Sequence, residues 1–205
     1  MLGALSEVLA GYGLTRLVGV DEVGRGPLAG PVVAAAVMLP PTHCRDGASA
    51  GLGIDDSKKL SPARREYIFA RLASDSRIAI GLGAVSPAGI DRLNILEAAR
   101  LAMLRAVAVL NRDFDLVVVD GNRPLPLSLP QYPLIKGDSR ALPVAAASIV
   151  AKVVRDRQMF YYDRRWPEYG FAAHKGYGTA LHRQALQRHG PCPIHRMSFK
   201  LKSEK

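Results

Sequence analysis

Two runs of apolar, largely β-branched residues, Leu17–Asp21 and Pro31–Leu39, stand on either side of the glycine-rich stretch GRGPLAG. Each has the composition of a buried strand, and a parallel crossover between them would need about a dozen residues or more. As neighbours the two strands must therefore pair antiparallel. Ile78–Val85 reads as a third strand, and Ser61-Pro62, an N-cap followed by proline at the first helical position, opens a helix over ARREYIFARLA. Apolar positions with a period near 3.6 (Ile90, Leu93, Ile95, Leu96, Leu101, Leu104, Val107) predict one long amphipathic helix from Ser86 to about Leu110. That helix delivers the chain to a strand at Leu116–Asp120, followed by the turn residues Asp120-Gly-Asn-Arg-Pro. Pro124, Pro126, Pro130 and Pro133 then predict a loop. A second long helix is expected over 141–163, small and apolar on one side and basic on the other. After it come a glycine-rich turn (HKGYGT), a short basic helix around His182–Arg188 and a proline-rich tail. The order, strands first and then alternating helix and strand, describes one α/β unit without repeats or an interdomain linker.

With 205 residues, 48% of them hydrophobic, the chain can bury one substantial core and is read as a single domain over 1–205. No apolar stretch long and uncharged enough to span a bilayer occurs. MLGALSEVLA has neither the basic start nor the cleavage pattern of a signal peptide, so a cytoplasmic protein is expected. Cys44 and Cys192 are the only cysteines, far apart and outside any C-x-x-C, which leaves incidental or buried thiols rather than a disulfide or zinc site. The formal charge of +10 is unevenly spread. Residues 136–205 hold 14 Lys and Arg against 5 Asp and Glu and so carry +9 of it. A positive surface for a phosphate backbone and an ordinary solvated helix face are equally good readings of that charge.

Chemistry is concentrated in the acids. Asp21 and Glu22 end an apolar strand, Asp120 ends another, and Asp138 sits in K-G-D-S at the entrance to the second long helix. Strand ends open onto the crevice where α/β sheets bind ligands. If the first and fourth strands are adjacent, these acids converge. Carboxylates crowded together repel one another unless cations neutralise them, and hard oxygen donors select Mg²⁺ or Mn²⁺. Two such ions about 3.5 to 4 Å apart suit an in-line phosphoryl displacement. Taken singly, each acid is an ordinary solvated or capping residue. The segment D-E-V-G-R-G-P-L-A-G lacks Gly-Lys-Ser/Thr and leads into a strand where nucleotide motifs require a helix, which excludes dinucleotide and ATP binding. Gly24 and Gly26 permit close backbone approach to a ligand, with Arg25 beside them for a phosphate; a plain β-turn fits the residues equally well. Tyr177, between two glycines, offers a ring for stacking on a sugar or base, or packs as a surface tyrosine. His174, His182, His189 and His195 match no zinc spacing, and phosphate or capping contacts are expected of them. Ser57, Lys58 and Lys59 in D-D-S-K-K-L are a candidate phosphate contact or a solvated loop.

These segments resemble the ribonuclease HII family: VGVDEVGRGPLAGPVVAAAV at 18–37, DDSKKLSPARRE at 55–66, VVVDGN at 117–122, KGDSRALPVAAASIVAKVVRDRQM at 136–159 and HKGYGTALHRQALQRHGPCPIHRMSF at 174–199. They span nearly the whole chain in the family's order, with Val23 in place of a common alanine as the one departure noticed. The resemblance implies a ribonuclease H-like fold, a five-stranded mixed sheet whose first three strands are antiparallel, with helices on both faces and a basic C-terminal helical extension from about residue 160. It implies that Asp21, Glu22, Asp120 and Asp138 are catalytic ligands of two Mg²⁺ or Mn²⁺ ions. Gly24, Arg25 and Gly26 would contact the ribonucleotide through its 2′-hydroxyl, and Tyr177 would stack on the following deoxyribose. Ser57 and Lys58 would touch the nucleic-acid backbone, with Ser139 a further candidate. The implied activity is hydrolysis of the RNA strand of RNA/DNA hybrids and incision 5′ of ribonucleotides embedded in duplex DNA, leaving 3′-hydroxyl and 5′-phosphate ends. A monomer is the simplest expectation. The competing readings are another ribonuclease H-like nuclease, such as a ribonuclease HIII or a junction resolvase, and a nucleic-acid-binding module without catalysis. Ribonuclease HIII is disfavoured, because only 16 residues precede the first strand.

Overall fold

The computed structural model describes residues 11, 13–44 and 52–199. The readings made on residues 1–10 and on the end of the tail lie outside that set, as does the Cys44 side chain. Five strands form one mixed sheet in the order β3-β2-β1-β4-β5: β1 (Leu17–Val23), β2 (Val32–Met38), β3 (Ala79–Val85), β4 (Leu116–Asp120) and β5 (Gln131–Leu134). The short glycine connection does force β1 and β2 antiparallel, and β3 continues that sense, whereas β4 and β5 run parallel to β1. Helices α2 (Pro87–Leu93) and α3 (Ile95–Ala108) cover one face, and α1 (Pro62–Ser74) and α4 (Leu142–Arg165) cover the other. After α4 come short turns and α5 (Ala180–His189).

Three elements differ from the sequence reading. The stretch expected as one helix from Ser86 is two, broken at Asn94, whose φ of 68° lies in the left-handed region. Its side chain then caps α3 by accepting from the Leu96 and Glu97 N–H groups at 2.9 and 3.1 Å. Apolar periodicity runs unbroken through Leu93 and Ile95, so the break is carried by this cap alone. The second difference is β5, which occupies part of the expected proline loop. Pro133 lacks a ladder donor and is tolerated because β5 is an edge strand. Gln131 secures its approach: its amide donates to the Leu125 and Leu127 carbonyls and its oxygen accepts from the Leu125 N–H. The third is α4, which is not two-sided along its length. From Leu142 to Ala151 it is buried all round, and basic residues gather only toward its C-terminal end.

Small residues explain how α4 sits so close to the sheet. A Cβ at Gly19 would lie 2.1 Å from the Pro143 carbonyl carbon, so helix backbone rests directly on β1. The alanines 145–147 and 151 of α4 are fully buried and keep the separation small over the next turns.

The C-terminal segment packs back through Ala29, Met159, Tyr169, Phe171 and Ile194, and joins the β1–β2 connection by a bridge between Ala29 and His195. Two histidines belong to this core, which removes them from the phosphate contacts expected for them: His182 is fully buried and His195 is 6% exposed. Their hydrogen bonds form a neutral chain. The Cys192 N–H donates to His195 Nδ1 (2.9 Å), which leaves His195 Nε2–H to donate to His182 Nε2 (3.0 Å) and His182 Nδ1–H to donate to the Tyr177 carbonyl (2.9 Å). Burial pushes the His182 imidazole down to about 4 and lowers that of His195 as well. His174, stacked on His182 at 4.4 Å, accepts locally from the Gly176 N–H. Above pH 6.5 both states of the protein hold His182 neutral. Between 6.5 and about 4 the unfolded chain binds a proton that the folded one refuses, so stability falls as pH falls through that window. The loss traceable to His182 is up to about 3 kcal/mol. Denaturant titrations should show the stability gap between wild type and His182→Gln narrowing from pH 7.5 to pH 4.5, and a gap constant across that range would refute the assignment.

Candidate active site

Parallel pairing of β1 with β4 matches Val20 to Val119, so the next step along both strands sets Asp21 beside Asp120. Pleating turns Asp21 toward α4 and Glu22 toward α3. Asp138 arrives from the 3₁₀ turn Gly137–Ser139, whose Gly137 N–H donates to Asp120 Oδ1 at 2.7 Å. Asp21, Glu22, Asp120 and Asp138 thus line one cleft of about 450 Å³ at the C-terminal ends of β1 and β4. The convergence left open by the sequence is present.

Electrostatics in the cleft are those of carboxylates short of counter-charge. Burial, then the neighbouring charges of Glu22 and Asp120, raise the Asp21 carboxyl well above its usual range. Burial likewise lifts Glu22 to about 7, opposed by Arg25 at 3.4 Å, and burial raises Asp120. Lys58 supplies a cation, its Nζ 3.0 Å from Asp138 Oδ2. Among the described residues no three His, Cys, Asp or Glu side chains close around one cation-sized point. The fit to a metal therefore rests on donor chemistry: four carboxylates and, among the described residues, no imidazole or thiol lining the cleft, with the negative form of Asp21, Glu22 and Asp120 disfavoured by burial. That set suits a hard divalent ion.

Ser57, Lys58 and Tyr177 also line the cleft. Ser57 is 5% exposed, and its hydroxyl shares a 2.8 Å hydrogen bond with Ser148, which in turn bonds the Asp21 carboxyl. It orients an acid more than it reaches outward. The Gly24-Arg25-Gly26 loop forms the rim, where a Cβ on Gly26 would come 3.6 Å from the Tyr177 ring. Gly24 has φ of 94°, and a Cβ there would strike Arg155 Nε at 2.3 Å, so glycine is required on two counts. Ser139 is not brought in. It is exposed, and its hydroxyl donates to the Lys136 carbonyl at 3.0 Å.

Sequence reasoning missed the residues that hold these parts in place. Ser148, Arg65 and Lys152 line the cleft, and Arg65 Nη1 fastens the Ser57 loop through the Ser57 and Leu60 carbonyls. Arg155, fully buried, donates to the carbonyls of Ala29, Pro31 and Lys175 at 3.0 to 3.2 Å. Arg196, 3% exposed, donates to those of Gly24, Arg25 and Gly30 at 2.5 to 2.9 Å. Burial lowers both guanidiniums, Arg196 to about 9. Arg155 follows Val153 and Val154 in an apolar helix, which was the available signal; Arg196 had none beyond its place in the C-terminal match.

Residues 18–202 match the family model for ribonuclease HII. The ribonuclease HII of Syntrophotalea carbinolica is 52% identical over 192 residues, covering 94% of this chain and 88% of the relative. That of Chlamydia muridarum is 52% identical over 187 residues, covering 91% and 83%. Among solved structures, ribonuclease H2 from Pyrococcus horikoshii is similar with a TM-score of 0.75 at 26% identity, covering 90% of this chain and 94% of that one. The RNase HII of Archaeoglobus fulgidus, solved in complex with PCNA, gives 0.76 at 26% identity, covering 93% and 98%. With the sheet order and the acidic cleft in agreement, the chain belongs to the ribonuclease HII family and is an endonuclease of the ribonuclease H type.

Proposed function

We propose that this endonuclease cuts the RNA strand of RNA/DNA hybrids and incises duplex DNA on the 5′ side of embedded ribonucleotides, leaving 3′-hydroxyl and 5′-phosphate ends. The observation that carries the reading is that four acids from three chain regions line one cleft beneath a glycine-arginine-glycine rim and an open tyrosine. Asp21, Glu22, Asp120 and Asp138 would hold two Mg²⁺ or Mn²⁺ ions, in keeping with the divalent-metal dependence general to the family. Bound there, such ions supply an activated water and stabilise the departing 3′ oxygen. The chain's residues do the rest. Ser148 and Ser57 fix the Asp21 carboxyl, and the Gly137 N–H fixes that of Asp120.

Recognition of ribose follows from backbone geometry. A trans peptide points its C=O and N–H in opposite directions. Arg196 draws the Gly24 and Arg25 carbonyls inward, so the Arg25 and Gly26 N–H groups face out of the rim. A 2′-hydroxyl can accept from such donors, and deoxyribose offers nothing to them. The Tyr177 ring, 44% exposed beside Gly26, is suited to stack on the next sugar and favour an RNA-to-DNA junction. We further propose a monomer acting as one catalytic domain in the cytoplasm, where chromosomal substrate is found.

Asp120→Asn keeps an oxygen for the Gly137 N–H but removes the charge. On a duplex with one ribonucleotide and Mg²⁺ it should lose at least about a hundredfold in kcat while remaining folded; near-normal turnover would sink the metal assignment. EDTA should abolish cleavage, and excess Mg²⁺ or Mn²⁺ should restore it, whereas a binding module without catalysis would show no cleavage in either state. Tyr177→Ala should lower kcat/KM on a single-ribonucleotide junction by the equivalent of about 1–3 kcal/mol. Its effect on continuous hybrid should be smaller, and an equal loss on both substrates would argue against junction sensing.

A further inference from the structure

A second hollow of about 80 Å³ lies on the α3 side of the acids. Glu22 and Asp120 line both cavities, so the two hollows meet at the carboxylates. Three guanidiniums surround the smaller hollow: Arg25 from the rim, Arg100 from α3 and Arg123 from the turn after β4.

What distinguishes Arg100 and Arg123 is how little they are used. The two structural arginines, Arg155 and Arg196, each contact three backbone carbonyls at 3.2 Å or less. Arg100, by contrast, has a buried Nε with no hydrogen-bond partner, and its other nitrogens reach Glu97 Oε1 and the Pro124 carbonyl only at 3.4 Å. The exposed Arg123 side chain makes no hydrogen bond or ion pair among the described residues. A guanidinium with unspent planar donors beside a small hollow is matched to a phosphate, which it can grip through two oxygens. The hollow has room to seat a phosphate group.

We propose that Arg100 and Arg123, with Arg25 beside them, form an anion subsite for the phosphate backbone of the cleaved strand on the 5′ side of the cut. The polarity rests on the proposed function: with Tyr177 against the sugar that follows the ribonucleotide, the arginine hollow faces the strand preceding it. These two residues bind and position substrate and take no part in bond breaking. They set affinity for the strand that ends as the 3′-hydroxyl product.

A methylphosphonate scan tests this. Single neutral linkages are placed in turn on either side of the ribonucleotide in a fluorescent duplex. Binding in EDTA and cleavage in Mg²⁺ are then measured for wild type and for the Arg100→Gln, Arg123→Gln double variant. Wild type should lose affinity severalfold when one or two linkages 5′ of the cut are neutral. On the all-phosphate duplex the double variant should show a KM raised severalfold, kcat unchanged, an unchanged thermal midpoint and a salt dependence of binding shallower by about two units of log–log slope. It should no longer respond to the 5′ substitutions. If it keeps the wild-type 5′ sensitivity, or loses sensitivity on the 3′ side instead, the subsite is wrong. The binding arm decides this even if no cleavage occurs, an outcome that would refute the proposed function separately.

Discussion

Parallel hydrogen bonding between β1 and β4 is the constraint from which the site descends. Register matters because a one-residue slip would send Asp21 or Asp120 to the opposite face of the sheet. The Val20 to Val119 pairing keeps both carboxylates on the same edge and the same side. That pairing in turn needs α4 to lie flat on β1, which Gly19 and the alanines of α4 permit. The same helix carries Ser148 to the Asp21 carboxyl. Packing and chemistry therefore share one set of small residues, and a change that thickens the α4–β1 contact would shift an acid as well as cost stability.

Gathering acids at this edge works against folding. Burial and mutual repulsion raise the carboxyls of Asp21, Glu22 and Asp120, so the folded state holds negative charge less readily than the unfolded chain does. Lys58 and Arg25 relieve part of this from the rim, each against one acid. Both side chains are largely exposed, so these pairs are screened and weak. Instability of this kind is kept at the edge of a rigid sheet, where the proposed divalent ions would relieve it.

Much of the fold was legible because the signals were local. The antiparallel β1–β2 pair follows from the shortness of GRGPLAG, α1 from Ser61-Pro62, and the acids Asp21, Glu22 and Asp120 from their places at strand ends, with Asp138 at a helix entrance. What was not legible depends on partners distant in sequence. Asn94 interrupts an apolar period without altering it, and Pro133 looks like a loop residue until β4 is seen to supply the edge on which it is harmless. His182 and His195 looked like phosphate contacts in a basic segment because nothing local announces that Tyr169 and Phe171 will enclose them. Ser139 sits next to Asp138 in sequence, yet the 3₁₀ turn spends its hydroxyl on Lys136. Ser148 lies 127 residues from the Asp21 that it orients, beyond the reach of any spacing rule.

The two buried arginines show how a loop of small residues can be made rigid without side chains of its own. Isolated buried cations are costly, yet Arg155 and Arg196 are each ringed by carbonyl oxygens whose dipoles replace water. Arg196 holds residues 24, 25 and 30, while Arg155 ties residues 29 and 31 to Lys175, next to the turn that carries Tyr177. The His182–His195 chain fastens that turn again through the Tyr177 carbonyl. The Gly24 and Arg25 carbonyls are consumed by Arg196, and in a trans peptide the N–H of the same unit, here those of Arg25 and Gly26, points the opposite way within the plane. Rigidity of the loop and the ribose recognition proposed for it thus draw on one arrangement, and Gly24 is indispensable to that arrangement because a side chain there would displace the Arg155 guanidinium.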